Sequence, residues 1–420
     1  MDVTIIALGS RGDVLPYAAL GRALREAGHR VCFATFASFE PLVAEQGLRF
    51  HPIRGDAQAI MLGSGGQALA ESGQSVVRMM AGVMRSFGAL ARDYARDLSV
   101  LASQPADLIV NQLPGGLYGY DLAEKLGVPM VAAAVMPLTP THSQPMLAFP
   151  RWPSALSGYS LLTHRLAFQL VWQAFRPTIN RWRQQVLGLK KMPLRGIFRE
   201  TRESIPVLNG FSARVVPRPP DWGQQVHVTG YWFPEDREWQ PPDQLLRFLD
   251  DGPPPVFAGF GSMPLRDADR VTELVLEALR QSGQRAIVHA GWGGVGGRAL
   301  PEWAYGLEYA PYGWLFPRMA ALIHHGGSGT TAFGLRSGVP AVVVPFLFDQ
   351  FYWGRRIAEL AVGPAPVPFS KLSAGRLADA IRAATGDSEM RERAQRLGTE
   401  IQAEDGLGAA VRALEGLARG

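Results

Sequence analysis

His324-His325-Gly326-Gly327-Ser328-Gly329-Thr330-Thr331 is the stretch that best defines the fold of this chain, between the apolar run 320–323 and the helix-like segment 332–337. A strand that enters a helix through small residues leaves backbone N–H groups unpaired at the helix N-terminus, where the helix dipole favours an anion. A tight turn that needs glycine for backbone freedom explains the same residues equally well. The stretch therefore predicts a strand–turn–helix unit, and the anion site is one of two interpretations.

A second apolar run, 339–345, follows this unit and leads into Asp349 and Gln350. Two strands joined through a helix are typical of a parallel sheet, whose ligands bind at the carboxyl ends of the strands. An acid and an amide one strand further along the chain favour the ligand interpretation. We expect an α/β fold.

The composition predicts two globular domains. The chain has 420 residues, 47% of them hydrophobic and 19% charged, which exceeds the size at which a single core keeps growing. A formal charge of +5 is a mild excess for this length. It permits an anionic ligand or an acidic membrane surface, and we expect no nucleic-acid partner.

Cys32 is the only cysteine, which rules out internal disulfides and suits a reducing compartment. The N-terminus leads at once into an apolar run without a basic leader, so we expect a cytoplasmic protein. The longest uncharged segment, 126–150, contains five prolines, which argue against a membrane-spanning helix.

The N-terminal part opens as a strand–turn–helix–strand unit. Residues 3–8 predict a buried strand, 9–13 a turn, 14–27 a helix and 31–35 the next strand. The charged, proline-containing segment 233–242 predicts a linker, and a second α/β pattern follows it. The domains are therefore expected to be 1–235 and 236–420, with the last helix free to pack back on the first domain.

Asp13 is the sharpest catalytic candidate, because it follows the first strand and precedes a helix. It can be the N-cap of that helix, an assignment that the proline at position 16 supports. It can also be a general base, although a carboxylate committed to helix N–H groups would have a lowered pKa and be a poorer base. The residues alone leave both roles open.

Two segments have both a binding and a packing interpretation. The Met-rich segment 63–102 suits adaptable apolar ligands, and helix packing explains it as well. Segment 152–183 combines tryptophan and other aromatic residues with Arg165, Arg176, Arg181 and Arg183. Such a helix can lie on a membrane surface or pack normally with its arginine stems over apolar area.

Several motif matches are better explained as local structure. Gly291–Gly296 fits a dinucleotide-binding pattern, but no helix follows it, and we expect a loop. Asp267 and Asp269 have the spacing of a metal-binding pair, yet they precede a helix, where aspartate caps N–H groups. We expect no metal site and no resident cofactor.

Five motifs together resemble the family-1 glycosyltransferases of the GT-B fold, and the resemblance covers essentially the whole chain. They are Gly9 to Val14, Gly259 to Ser262, Trp314 to Pro317, His324 to Thr331, and Asp349-Gln350. Segments 217–222 and 228–232 resemble the sterol 3-β-glucosyltransferases, with the glycopeptide-antibiotic glycosyltransferases next. The resemblance implies two Rossmann-like domains whose parallel sheets face each other across a cleft.

The resemblance also implies an inverting, metal-independent transfer of a hexose from a nucleotide sugar to a hydroxyl group of an apolar small molecule. The first domain would bind this acceptor, and Asp13 would be the general base. The second domain would bind the nucleotide sugar as co-substrate, with UDP-glucose favoured. The implied donor-binding residues are Ser10, Arg11, Gly12, Ser262, Tyr309, Trp314, His324, Gly327, Ser328, Gly329, Thr330, Asp349 and Gln350.

Within that set, the N–H groups near Ser328, Gly329 and Thr330 would hold the diphosphate, and His324 would donate to a phosphate oxygen. Asp349 and Gln350 would hold the sugar hydroxyls, and Tyr309 or Trp314 would stack on the base. Relatives commonly carry a first-loop histidine oriented by an acid at a later strand end, whereas this chain offers Asp13 and, at the corresponding strand end Val110-Asn111-Gln112, an amide. What orients Asp13 is therefore open.

Other functions stay open at this point. They are a natural-product glycosyltransferase that uses a TDP-deoxysugar, a nucleotide-sugar epimerase, a non-catalytic nucleotide-sugar binder, and a peripheral membrane contact by segment 152–183.

Overall fold

The computed structural model describes residues 1–63, 91–113, 118–147, 149–151, 158–196, 205–234, 239–261, 263, 267–289 and 300–419. The chain forms two compact units. The first combines the described residues up to Pro234 with those from Asp405 onward, and the second covers those from 239 to Glu404. The Met-rich segment, Gly291–Gly296 and Ser262 lie wholly or largely outside the described residues.

Each unit is built on one parallel sheet. The strands of the first are β1 (Asp2–Ile6), β2 (Arg30–Phe36), β3 (Arg49–Ile53), β4 (Leu108–Gln112), β5 (Met130–Ala134), β6 (Val207–Asn209) and β7 (Val226–Val228), in the order β3-β2-β1-β4-β5-β6-β7. Those of the second are β8 (Val256–Gly259), β9 (Ala286–His289), β10 (Ala304–Leu307), β11 (Ala321–His324) and β12 (Ala341–Val343), in the order β10-β9-β8-β11-β12. The predicted α/β class is confirmed.

Helices connect the strands. They are α1 (Arg11–Glu26), α2 (Glu40–Glu45), α3 (Ala57–Leu62), α4 (Ala91–Ser99), α5 (Gly119–Leu126), α6 (Tyr159–Trp182), α7 (Asp243–Asp250), α8 (Ala268–Ser282), α9 (Tyr312–Leu315), α10 (Ser328–Ser337), α11 (Asp349–Glu359), α12 (Ala374–Gly386), α13 (Ser388–Gln402) and α14 (Gly406–Arg419). A π-helical turn, Arg183–Leu187, continues α6. Short 3-10 segments are Ala37–Phe39, Val100–Ser103, Phe316–Arg318 and Phe369–Lys371.

The central strands β1, β4, β5, β8 and β11 are buried along almost their whole length, as expected when helices cover both faces of a parallel sheet. Ile5, Phe33 and Val110 are fully buried neighbours in the core of the first unit. The C-terminal helix α14 belongs to this core through Ala410, Val411 and Leu414. An imidazole–carboxylate contact of 3.1 Å between His29 Nε2 and Glu415 Oε1 adds a polar link between α14 and the first unit.

Both sheets have a point where the strand order reverses, and ligands bind at such points in open α/β sheets. In the first unit it lies between β1 and β4, and in the second between β8 and β11. The loop after β1 contains Gly9 and Ser10 and leads into the first turn of α1, which carries Asp13, and the loop after β11 contains His325 to Gly327. The topology therefore places both motifs where ligands are expected.

Several element boundaries differ from the sequence prediction. Helix α1 begins at Arg11 rather than at 14, so Asp13 lies in its first turn rather than in the preceding turn. Helix α10 begins at Ser328 rather than at 332, so the small residues of the motif form its first turn. Small polar residues suit this turn, because their side chains can pair with N–H groups that lack helical acceptors. Strand β10 ends at Leu307, which lies opposite His289, the last residue of its partner β9.

Candidate active site

The loop after β1 holds the Asp13 carboxylate at the start of α1. Oδ2 of Asp13 accepts hydrogen bonds from the backbone N–H and the hydroxyl of Ser10, both at 2.8 Å. Gly9 has a φ of 141°, and a Cβ on it would lie only 2.6 Å from Oδ2. Gly9 therefore permits the close approach of the carboxylate, and Ser10 fixes its orientation.

Asp13 is not the N-cap, which corrects one of the two interpretations drawn from the sequence. Ser10 is the N-cap, and Asp13 is the third helical residue that bonds back to it in a capping box. The lowered pKa expected of Asp13 as an N-cap is also not found. Burial raises the pKa of Asp13 and outweighs the two hydrogen bonds from Ser10, which lower it. A carboxylate with a raised pKa is a stronger base.

Gln112, at the end of β4, supports the loop rather than the carboxylate. Its Oε1 accepts a hydrogen bond from the Leu8 N–H at 2.7 Å, and its Nε2 donates to the backbone oxygen of Asp13 at 3.4 Å. Within the described residues, the second carboxylate oxygen, Oδ1, makes no hydrogen bond. Asp13 is only partly buried. Oδ1 is therefore the oxygen left to receive a proton from a substrate.

The other first-loop residues surround the N-terminus of α1. Arg11 and Gly12 are exposed, and Ser10 is half-buried. All three belong to the first unit, and their donor-binding role stays a prediction.

The loop after β11 forms the N-terminal pole of α10. Gly326 has a φ of 88°, and a Cβ there would lie 2.7 Å from Val343 Cγ1 and 3.1 Å from the Gln350 backbone oxygen. Gly327 is the N-cap, and the Thr331 N–H donates to its carbonyl at 2.9 Å. The N–H groups of Ser328, Gly329 and Thr330 precede this first helical bond and are oriented for an anion.

His324 lies beneath the helix. It is fully buried, and its Nδ1 accepts a hydrogen bond from the Gly326 N–H at 3.0 Å, which leaves the proton on Nε2. This Nε2 lies 3.9 Å from the point where a Cβ of Gly334 would be, beside the second turn of α10 rather than the first. Burial lowers the pKa of His324 to about 3, so the ring is neutral. Here the ring supports the Gly326 turn, and its contact with phosphate stays a prediction.

His325 is the residue that the sequence reasoning missed. Its Nε2 lies 2.5 Å from the point where a Cβ of Gly327 would be, and its Cε1 lies 2.9 Å from that of Gly261. The ring therefore fills the space between the turn after β8 and the N-cap of α10. Burial lowers its pKa to about 4, and within the described residues its Nδ1 has no hydrogen-bond partner.

Asp349 and Gln350 begin α11, and both are largely buried. Gln350 Oε1 accepts hydrogen bonds from the N–H groups of Phe346 and Leu347 at 2.8 and 3.2 Å. One oxygen of Asp349 accepts a hydrogen bond from Trp353 Nε1 at 3.2 Å. Phe348 has a φ of 43°, a strained backbone for a non-glycine residue and typical of functional loops. In this structure Gln350 holds the loop, and sugar binding by either residue stays a prediction.

The two base-stacking candidates have different surroundings. Trp314 is covered by the Arg318 guanidinium, 4.1 Å above its ring, and packs edge-on against Trp239 at 5.0 Å. Tyr309 lies two residues beyond β10 and is 45% exposed. Tyr309 therefore offers the more accessible ring. Ser262, the candidate in the neighbouring turn, lies outside the described residues.

Asp267, which has the sequence spacing of a metal-binding pair with Asp269, lies at the start of α8. The carboxylate of Asp267 accepts a hydrogen bond from the Arg270 N–H at 3.0 Å, which confirms that it caps α8. In the part of the chain that the structure describes, no three His, Cys, Asp or Glu side chains are grouped to hold a metal ion. No helix in that part is long and apolar enough to span a bilayer.

Comparisons with known proteins agree with this architecture. Residues 3–144 match the glycosyltransferase family 28 N-terminal domain. Residues 273–416 match the C-terminal domain described as erythromycin biosynthesis protein CIII-like.

Sterol 3-beta-glucosyltransferases are among the similar sequences. Two from Arabidopsis thaliana are 36% identical over 420 residues and 34% identical over 422 residues, each covering 98% of this chain. The chain spans 67% and 65% of their lengths. One from Neosartorya fischeri is 35% identical over 431 residues, which covers 99% of this chain and 29% of that protein.

Solved glycosyltransferase structures have the same fold. SsfS6 of Streptomyces sp. SF2575, also solved with thymidine diphosphate, has a TM-score of 0.66, 20% identity and 99% coverage of both chains. SnogD of Streptomyces nogalater has a TM-score of 0.67 and 22% identity, and covers 100% of this chain and 99% of its own.

Proposed function

As the chain belongs to the family-1 glycosyltransferases of the GT-B fold and is a hexosyltransferase, we propose that it transfers a hexose from a nucleotide sugar to a hydroxyl group of an apolar small molecule such as a sterol. UDP-glucose is the favoured donor, because the relatives that are 34–36% identical are named glucosyltransferases. A TDP-deoxysugar is the second candidate, since SsfS6 and VinC have been solved with thymidine diphosphate.

The environment of Asp13 is the observation that carries the proposal. In the proposed step, Asp13 Oδ1 takes the proton from the acceptor hydroxyl as its oxygen attacks the anomeric carbon. The bond from that carbon to the diphosphate oxygen breaks, and the nucleoside diphosphate leaves with the electron pair. A single displacement of this kind inverts the anomeric centre. The raised pKa of Asp13 and the Ser10 bonds that hold Oδ2 support this role.

The pole of α10 is suited to the leaving group. The diphosphate gains negative charge in the transition state, and preformed N–H donors stabilise that charge without reorganisation. The N–H groups of Ser328, Gly329 and Thr330 are the proposed donors. Among the described residues, both His324 Nε2 and His325 Nδ1 are buried without a hydrogen-bond partner. We assign the imidazole contact to His325, because its ring lies 2.5 Å from the Cβ position of the N-cap Gly327, whereas His324 Nε2 lies 3.9 Å from that of Gly334 in the second turn. Both rings are neutral, so each can contribute an N–H dipole but no charge.

The remaining donor contacts follow from exposure. Tyr309 is proposed to stack on the base, because its ring is accessible and that of Trp314 is already covered. Asp349 is proposed to bind a sugar hydroxyl at the start of α11. The transfer is proposed to be independent of a metal ion, so transfer that a chelator abolishes and Mg²⁺ restores would contradict this part.

A mass-spectrometric screen tests the function. The purified chain is incubated with UDP-glucose or a TDP-deoxysugar and with a sterol or a water-soluble phenol. We expect the mass of the sterol to increase by one hexose when UDP-glucose is the donor, and no transfer when the TDP-deoxysugar is the donor. Transfer only from the TDP-sugar would select the second candidate. An isomerised sugar nucleotide without acceptor, or no turnover above that of Asp13→Asn, would overturn the proposal.

A further inference from the structure

Segment 151–199, which contains α6, is strongly basic. It has nine Lys and Arg residues and no Asp or Glu. Since the whole chain has a formal charge of +5, the remaining residues sum to −4 (5 minus 9). The net excess of positive charge in this protein therefore arises from this one segment.

Exposed leucines line one side of α6. Leu162, Leu166 and Leu170 are 52%, 47% and 47% exposed, and a spacing of four residues places them on one face of the helix. Trp172, Phe175 and Trp182 are buried instead. These aromatic residues belong to the core, as the packing interpretation of the segment expects, and the exposed apolar face consists of leucines.

Leu194 extends this face. It is 63% exposed, the highest exposure among the large hydrophobic residues that the structure describes. The amides of Gln169 and Gln173 donate to the Leu194 backbone oxygen at 2.9 and 2.7 Å, and Trp172 Nε1 donates to it at 3.0 Å. Three bonds from α6 therefore hold Leu194 beside the leucine face.

Cationic side chains flank the leucines. At 100° of rotation per residue, Arg165 lies about 60° to one side of Leu162 around the helix axis, and Arg181 lies about 20° beyond Leu170 on the other side. Both are exposed, as are Lys190, Lys191 and Arg195 in the segment that leads to and past Leu194. None of these five forms an ion pair with the described residues. Arg183, in contrast, is buried and paired with Asp121 and Glu124.

We propose that this surface, the four leucines with their flanking cations, docks onto an anionic lipid bilayer. Leucines flanked by cations, in a segment that contains no acidic residue, match the apolar boundary and the negative headgroups of such a membrane. In this proposal the surface lies on the membrane without spanning it, and its leucines reach the boundary between the headgroups and the acyl chains. The inference is independent of the proposed acceptor, and its test requires no glycosyl transfer.

Vesicle co-sedimentation of the full chain tests the inference. Vesicles of phosphatidylcholine alone are compared with equimolar phosphatidylcholine and phosphatidylglycerol. We expect binding to the anionic vesicles only, and weaker binding as salt rises. Arg165→Gln, Lys190→Gln, Lys191→Gln and Arg195→Gln combined should weaken it at least about tenfold. Leu166→Gln with Leu170→Gln should weaken it at unchanged charge.

A control variant removes the same four charges from exposed positions of the second unit: Arg247→Gln, Arg270→Gln, Lys371→Gln and Arg396→Gln. It should bind like the unaltered chain, and circular dichroism should show that all variants are folded. If both charge variants lost vesicle binding equally, binding would depend on net charge rather than on this surface, and the inference would be overturned. Failure to sediment with anionic vesicles would overturn it too, as would a concentration-dependent dimer that the leucine substitutions dissociate without vesicle binding.

Discussion

The two loops at the reversal points of the sheets use different physical means. The loop after β1 presents a side-chain charge, Asp13, whose pKa burial raises. The loop after β11 presents backbone N–H groups and two histidines, whose pKa values burial lowers to about 3 and about 4. Burial therefore produces a stronger base in one unit and neutral hydrogen-bond donors in the other.

This difference indicates how each loop depends on its residues. In the proposed mechanism, the chemistry of the first unit rests on one carboxylate, Asp13, and on Ser10, which holds it. In the second, backbone geometry matters more, because Gly326 and Gly327 shape the turn and the helix supplies the N–H groups. Substitutions in the first loop should change turnover, and substitutions in the second should change donor binding.

The largest expected effect is that of Asp13→Asn. Removal of a general base typically lowers turnover by about 10²- to 10⁴-fold, and we expect a loss in kcat within this range. The raised pKa of Asp13 means that ionisation destabilises the fold as the pH rises through that pKa. The variant should therefore be at least as thermally stable as the unaltered protein at neutral pH. A loss of turnover with a lowered unfolding temperature would indicate a structural defect instead.

The two adjacent histidines should respond differently to substitution. His325→Ala should weaken UDP binding about tenfold, which is the loss of affinity expected when one hydrogen bond to a charged group is removed. His324→Ala should chiefly lower the free energy of unfolding, by about 1–3 kcal/mol, because the buried Gly326 N–H loses its acceptor. Calorimetric titration and denaturant unfolding of both variants measure this. The reverse pattern would return the phosphate contact to His324.

Ser10→Ala should have a smaller effect that depends on pH. The Ser10 hydroxyl stabilises the ionised carboxylate, so its removal should raise the pKa of Asp13 further. The acidic limb of the kcat/KM profile should move to higher pH, with a loss of a few fold near neutrality. Ser10→Thr retains a hydroxyl and should largely restore the profile. An unchanged acidic limb would exclude Ser10 as the positioning residue.

A further effect should appear in the pH dependence of the free energy of unfolding. The folded pKa values of His324 and His325 lie below the usual 6.5, so the unfolded chain binds protons first as the pH falls. The free energy of unfolding should therefore decrease from pH 6.5 towards about pH 4, by at most about 1.4 kcal/mol per pH unit for each histidine. His325→Asn should reduce this slope. Urea unfolding across that range measures it, and an identical slope would contradict a neutral buried His325.

Much of the fold is predictable from the sequence, because parallel strands are recognisable as short apolar runs between glycine-rich turns. The runs at 3–8 and 320–323 correspond to β1 and β11. The strand ends are less predictable, since β10 ends where its partner β9 ends.

The site is predictable only in part. The motifs identify the two loops, but the pKa of Asp13 depends on its burial, which the motifs do not indicate. Neighbouring residues at a strand end point to opposite sides, so the sequence cannot tell which of His324 and His325 faces the pole of α10. Likewise, the sequence of α6 indicates its aromatic residues as candidates for a membrane surface. Only the structure shows that they are buried and that Leu162, Leu166 and Leu170 are exposed instead.

The central claim is that the carboxylate loop serves the chemistry and the α10 loop holds the nucleotide. Calorimetric titration of UDP into Asp13→Asn and His325→Ala, alongside the unaltered protein, tests it most directly. We predict an unchanged Kd for Asp13→Asn and a Kd about tenfold higher for His325→Ala. A Kd that rises with Asp13→Asn, or stays unchanged with His325→Ala, would contradict this division of roles.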